Sequence, residues 1–110
     1  MARSLPSVAP LRGSLQRLRG YLEIALQDHL GADAFDELIR DVDAVLIDLG
    51  RLGARHTDST RAHASALATR MEASERAGLF ELDGELEREA KVLMPLLATY
   101  LDSSRLGGAA

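Results

Sequence analysis

Three histidines are the side chains best suited to chemistry near neutral pH, because the imidazole ring titrates there. His63 lies at helical spacing from Leu67 and Met71, so it is either a core-edge histidine or an exposed one. His29 continues a leucine stripe and is predicted to be a buried, hydrogen-bonded histidine, while His56 lies in a polar loop. His63 is therefore the candidate phosphoacceptor or general base. Exposure among small residues would favour phosphotransfer, and packing against Leu67 and Met71 would count against it.

The other residues give little indication of a metal or cofactor site. The chain has no cysteine, which excludes disulfides, thiol nucleophiles and thiolate metal sites. Neither His56 nor His63 has a carboxylate at Glu-x-x-His spacing, and Glu81, Glu85 and Glu89 are predicted to form a solvated acidic face. No glycine-rich phosphate loop is present. We expect no metal, no cofactor and no small-molecule substrate, and we expect the protein not to be an enzyme.

The net charge of −4 is distributed unevenly along the 110 residues. Residues 1–20 carry four arginines and no acid, and residues 21–50 carry eight acids against one arginine. The later segments, 51–76 and 77–110, carry +2 and −3. Such alternation favours helices that pack beside neighbours or partners of opposite sign. The candidate partner-binding residues are Asp36, Glu37, Asp41 and Asp48, and the candidate nucleic-acid-binding residues are Arg3, Arg12, Arg17 and Arg19.

Apolar residues recur at steps of three and four in four segments, which predicts four α-helices. Gly31 and Gly78 are predicted to end the first and third helices, and Asp33 is predicted to cap the second. Pro95 lies well inside the fourth helix and predicts a kink or a break there. The first two predicted helices cover residues 8–30 and 33–52. The third begins within the polar segment 55–60 and ends at residue 76 or 77, and the fourth runs from residue 79 or 84 to residue 102.

No alternating apolar pattern typical of strands competes with this interpretation. The predicted fold class is all-α, a four-helix antiparallel bundle with short loops. Residues 8–102 form its single domain, with flexible ends at 1–7 and 103–110. No apolar run approaches the roughly 18 residues of a membrane span, and the first residues lack the apolar segment of a secretory signal. We therefore expect a cytoplasmic protein without membrane contact.

Two pairs of segments resemble bacterial two-component proteins. The stretch from Leu67 to Gly78 and the leucine-rich helix to Tyr100 look like the last helical hairpin of histidine phosphotransfer domains. Residues 19–26 and 43–52 look like the two helices of a histidine-kinase dimerisation domain. The resemblance implies a helical bundle that exchanges a phosphoryl group on histidine. Phosphotransfer domains carry His-x-Leu-Lys-Gly, whereas residues 64–67 after His63 are Ala-Ser-Ala-Leu. The similarity is therefore to a degenerate or non-phosphorylated member, or it is convergence of one helical bundle on another.

Three hypotheses about function follow from these patterns. The first is a non-enzymatic helical interaction protein, a phosphorelay-like adaptor in bacterial signalling that binds a protein partner or associates with itself. The second is a histidine phosphotransfer protein that uses His63. The third is an oligomeric, phage-like assembly factor that contacts nucleic acid through its basic N-terminus, which the acidic total charge disfavours.

Overall fold

Four α-helices make up most of the chain in the computed structural model, which describes residues 9–28, 33–52, 58–82 and 84–109. Within these ranges, side chains are described except at 51, 52, 82 and 103–109. The helices are α1 (Ala9–Asp28), α2 (Asp33–Leu52), α3 (Asp58–Arg76) and α4 (Gly84–Ala109), with a 3-10 turn at Leu79–Leu82. No strand occurs in these ranges, so the predicted all-α class is confirmed. The predictions for residues 1–7, Arg3, His29 and His56 lie outside the described residues.

Each helix packs against two others, which closes the four into a bundle. α1 contacts α2 and α4, and α3 contacts the same two helices. The cross-helix contacts give the direction of α2 and α3. Arg70, late in α3, meets Asp41 in the middle of α2, whereas His63, early in α3, meets Asp48 near the end of α2. These helices are antiparallel, and the predicted four-helix bundle is confirmed.

The core is built from the predicted leucine stripes together with Phe35. α3 contributes less to it than the other helices, because its buried apolar residues are Ala64, Leu67 and Met71. Alanine removes little apolar area from water, so Leu67 and Met71 provide most of the apolar burial of this helix. The fully buried leucines of the bundle are Leu15, Leu18, Leu22, Leu38, Leu49, Leu67, Leu86, Leu93 and Leu97. None of the described helices is long and apolar enough to cross a bilayer.

Gly78 follows the end of α3, where the sequence predicts that the helix stops. Its φ of 78° lies in the left-handed region, where a side chain would be strained. The amide of Ala77 donates to the carbonyl of Ala73 at 3.0 Å, and that of Gly78 donates to the carbonyl of Glu75 at 3.0 Å. These bonds satisfy carbonyls at the end of the helix, after which the 3-10 turn leads into α4.

The fourth helix differs from its prediction in length and continuity. It begins at Gly84, the later of the two predicted starts, and its backbone continues to Ala109, beyond the predicted end at Asp102. The helix continues through Pro95, so of the two predicted outcomes the break is excluded and the kink stays a prediction. Pro95 faces solvent, where water can bond the carbonyl that loses its partner one turn earlier.

Truncation of Leu67 tests how far α3 depends on its few large apolar side chains. We expect Leu67→Ala to lower the free energy of unfolding by about 2–5 kcal/mol, because a cavity would remain at a fully buried position. Ile47→Ala is the matched control, since Ile47 is 57% exposed, and it should change stability by no more than about 0.5 kcal/mol. Urea unfolding followed by circular dichroism measures both. Equal losses in the two variants would contradict this account of the core.

Candidate functional site at His63 and Asp48

The α2–α3 seam brings a histidine and a carboxylate into direct contact. Nδ1 of His63 lies 2.7 Å from Oδ2 of Asp48. The His63 side chain is 44% exposed, whereas the Asp48 side chain is only 14% exposed. The carboxylate is thus held in the seam while part of the imidazole remains open to solvent.

The turns of the two helices explain this placement. His63 lies in the second turn of α3, on the side that faces α2, and Asp48 lies about one turn before the end of α2. Leu67 and Met71 are fully buried one and two turns later on the same helix face, while Nδ1 of His63 contacts Asp48. The His63 side chain is half-buried, as expected of a core-edge histidine, and its functional role stays a prediction.

The hydrogen bond determines which ring nitrogen is available for chemistry. A carboxylate only accepts hydrogen bonds, so Nδ1 of His63 must be the donor. In a neutral imidazole this leaves the lone pair on Nε2. The arrangement matches that of histidines oriented by a carboxylate for nucleophilic or general-base work.

Two further groups surround Asp48. Ser59 Oγ, in the first turn of α3, donates to Asp48 Oδ2 at 3.4 Å. Buried Tyr100 of α4 has a raised pKa, first because burial disfavours the phenolate and second because the charge of Asp48 opposes it. The serine bonds the aspartate and not His63, so the three residues do not form a nucleophile–base triad.

The other predicted partner-binding acids also contact cations of the same chain. Arg70 of α3 bonds Asp41 and, at 2.8 Å, Glu37, while Asp36 pairs with Arg40 one turn along α2 at 3.1 Å. The alternation of charge seen in the sequence therefore has a direct counterpart in the α2–α3 seam. Their role in binding a partner stays a prediction.

The basic residues of α1 are similarly placed against acids. Arg17 bonds Glu89 of α4, and Arg19 bonds both Asp43 of α2 and Glu23. Arg12 lies over the end of α2, with one guanidinium nitrogen 3.6 Å from the position that a Cβ would take at Gly50. Arg17 and Arg19 thus use their charge within the bundle, and nucleic-acid binding by this group stays a prediction.

Glu89 is the described residue at which the sequence interpretation fails most clearly. Glu81 and Glu85 are exposed, but Glu89 is 8% exposed, so the predicted solvated acidic face is wrong at this position. Its carboxylate accepts hydrogen bonds from Ser14 Oγ at 2.7 Å and from Arg17 Nε at 3.0 Å. The spacing contained the signal, because Glu89 lies three residues after Leu86, on the stripe that forms the core.

The surroundings of Glu89 keep it charged. Burial by itself raises the pKa of Glu89, but the hydrogen bonds from Arg17 and Ser14 and the charge of Arg17 together outweigh burial and hold the pKa below its usual value. The same contact raises the pKa of the Arg17 guanidinium. This cluster joins α1 to α4 and has no exposed reactive atom comparable to Nε2 of His63, so we assign it a structural role.

The spacing within one helix does not reveal the pairing of His63 with Asp48, because the two residues lie on different helices. In antiparallel helices joined by a short connection, residues at similar distances from the connection face each other. Asp48 lies four residues before the end of α2, and His63 lies five residues after the start of α3. That register was the available signal. Among the described residues, no group of three or more metal-binding side chains is assembled.

The chain matches no family model, no curated protein and no solved structure.

The depressed pKa of Glu89 predicts an acid-dependent loss of stability. A lowered pKa contributes stability that is fully present above the unfolded-state pKa, and this contribution disappears as the pH falls through the lower folded-state pKa. We expect Glu89→Gln to cost about 1–3 kcal/mol at neutral pH and to flatten the dependence of stability on pH in the acid range. Urea unfolding at a series of pH values measures this.

Glu81→Gln is the control for the acid series, because Glu81 is exposed. It should leave both the stability and its acid dependence close to those of the unmodified chain. Parallel pH curves for Glu89→Gln and the unmodified chain would refute the role given to the buried carboxylate.

Proposed function

We propose that this chain is a small helical signalling module that acts through protein–protein contacts and carries a phosphoryl group on His63. The observation that carries the proposal is the contact of Nδ1 of His63 with Asp48 on a half-exposed face of the bundle. The resemblance of its helices to histidine phosphotransfer and kinase dimerisation modules supports the same reaction. The partial exposure of the His63 side chain leaves the ring open to a partner, which supports phosphotransfer over a purely structural histidine.

The chemistry requires one nucleophilic nitrogen and one group that holds the ring proton. The Nε2 lone pair of His63 attacks the phosphorus of the donor, the new N–P bond forms, and the bond from phosphorus to the leaving group breaks with its electron pair. The proton on Nδ1 stays in the hydrogen bond to Asp48, whose negative charge offsets the positive charge that develops on the imidazole. A protonated phosphoimidazole is also the better leaving group, so the same contact favours onward transfer to an acceptor.

The neighbours of His63 suit approach by another protein. Ala62 and Ala66 precede and follow it on exposed positions of α3, and their small side chains leave room beside the ring. The motif lysine and glycine of phosphotransfer domains are missing after His63, so the contacts that a partner makes here would differ from those of that family. In this proposal the acidic residues beside the seam contribute to the choice of partner through their charge.

Chemical labelling with phosphoramidate tests the reactive group without a known kinase. We expect the full chain to gain one acid-labile phosphoryl group, with ammonia as the leaving group, and His63→Gln to remove it. Asp48→Asn should slow labelling by about tenfold or more, because an uncharged amide no longer balances the charge on the ring. Mass spectrometry of the intact chain and of its peptides gives the rate and the position.

His56→Gln is the matched control, since it removes a histidine other than the proposed phosphoacceptor and should leave labelling unchanged. Circular dichroism of each variant verifies that the helices remain formed. Labelling that falls on His29 or His56 at the same rate as on His63, or that survives His63→Gln, would refute the proposed phosphoacceptor. The adaptor function would then have to rest on binding alone.

A further inference from the structure

Two donors from α3 meet on one oxygen of Asp48. Ser59 Oγ lies 3.4 Å from Asp48 Oδ2, and Nδ1 of His63 lies 2.7 Å from the same atom. A carboxylate oxygen has room for more than one donor, so Oδ2 can accept both hydrogen bonds at once. The acceptor of the His63 contact is therefore shared with a second residue, to which the proposed phosphotransfer step gives no role.

The spacing along α3 explains why both side chains reach the same carboxylate. Ser59 and His63 are four residues apart, so they lie one turn from each other on the side of α3 that faces α2. Thr60, next to Ser59, is fully buried and anchors this first turn in the bundle. Ser59 is exposed, but its hydroxyl is attached directly to Cβ, so the position of Oγ depends on a single torsion. The hydroxyl is thus held close to Asp48 by the backbone.

An aspartate that accepts one hydrogen bond is poorly fixed in orientation. Its terminal torsion turns over a broad range, because it joins a tetrahedral carbon to a planar carboxylate. A second donor, one turn away from the first, restricts this rotation and keeps Oδ2 of Asp48 directed toward α3. The ring proton of His63 then stays on Nδ1 and the lone pair on Nε2, because the hydrogen bond at one ring nitrogen determines the tautomer.

We propose that Ser59 is a positioning residue of the phosphotransfer site and acts on His63 through Asp48. It orients the carboxylate so that Oδ2 holds the ring in the tautomer whose Nε2 is the nucleophile. Ser59 bonds the aspartate alone, so it takes no part in making or breaking a bond. Its effect on the reaction rests on the proposed function, whereas its effect on the tautomer exists without any phosphoryl donor.

The length of the Ser59 contact sets the size of its effect. At 3.4 Å it is longer than the usual O–H···O distance of about 2.7–2.8 Å, so it is weaker than the contact of His63 with Asp48. Loss of one neutral hydrogen bond changes an equilibrium or a rate by a small factor, here about two- to threefold. The effect of Ser59 is therefore smaller than that expected for Asp48→Asn.

Heteronuclear NMR of the full chain measures the tautomer of His63 without any phosphorylation. Well above the usual titration range of histidine, the ring is neutral, and its Nδ1-protonated form should dominate. Ser59→Ala should lower the ratio of the Nδ1-protonated to the Nε2-protonated ring by about two- to threefold, and Ser59→Thr, which keeps the hydroxyl, should restore it. His63→Gln assigns the signal. A ratio that Ser59→Ala leaves unchanged would overturn the proposal.

The rate of labelling with phosphoramidate tests the consequence for reactivity. Ser59→Ala should slow labelling of His63 by about two- to threefold, and Ser59→Thr should recover the rate. Ser65→Ala is the matched control, because Ser65 is another exposed serine of α3. It should leave both the tautomer ratio and the rate unchanged, and circular dichroism verifies that the helices of each variant remain formed.

The two measurements separate this proposal from the proposed function. Where His63 is labelled, a changed rate with an unchanged tautomer ratio, the reverse result, or equal effects of Ser65→Ala would each overturn the role of Ser59. An unmodified chain that is not labelled on His63 would refute the phosphoacceptor. The tautomer ratio would in that case still decide whether Ser59 orients the carboxylate.

Discussion

Three carboxylates of α2 meet nitrogen atoms of α3 along one seam: Glu37 and Asp41 at Arg70, and Asp48 at His63. α3 has few large apolar side chains to hold it, and Arg70 and Glu37 are about half exposed, so each ion pair adds little free energy but fixes a specific geometry. Apolar burial by Leu67 and Met71 keeps the helix against the bundle. The charged contacts set its register along α2, and that register brings His63 to Asp48.

In the proposed function the same seam would serve both packing and reactivity. A phosphoryl group on His63 would add negative charge close to Asp48, at the helix whose apolar anchoring is weakest. Phosphorylation of the ring and the contact of α2 with the first turns of α3 would then be coupled through electrostatics. Such a module would present a different local surface after transfer, without any change in the leucine core.

The leucine spacing was sufficient to predict the number, type and approximate bounds of the helices, because an amphipathic stripe is a local property of the chain. Gly78 was likewise predictable, since a left-handed position strongly favours glycine. Whether Pro95 breaks α4 was not predictable from its position along the helix, because the effect depends on whether the proline faces water or core. The bond of His63 to Asp48 and the burial of Glu89 depend on which helices become neighbours and in what register. Neither is encoded in the spacing within a single helix.

The contact of Ser14, Arg17 and Glu89 limits which amino-acid substitutions this bundle tolerates. Its three members lie on two helices and share one buried carboxylate, so replacing any one of them leaves a desolvated polar group behind. Substitutions at these positions are tolerated only when they compensate one another, for example when Ser14 and Glu89 are both replaced by apolar side chains of similar volume. At the α1–α4 interface, one substitution is therefore tolerated only together with others, whereas the exposed alanines of α3 can be replaced one at a time.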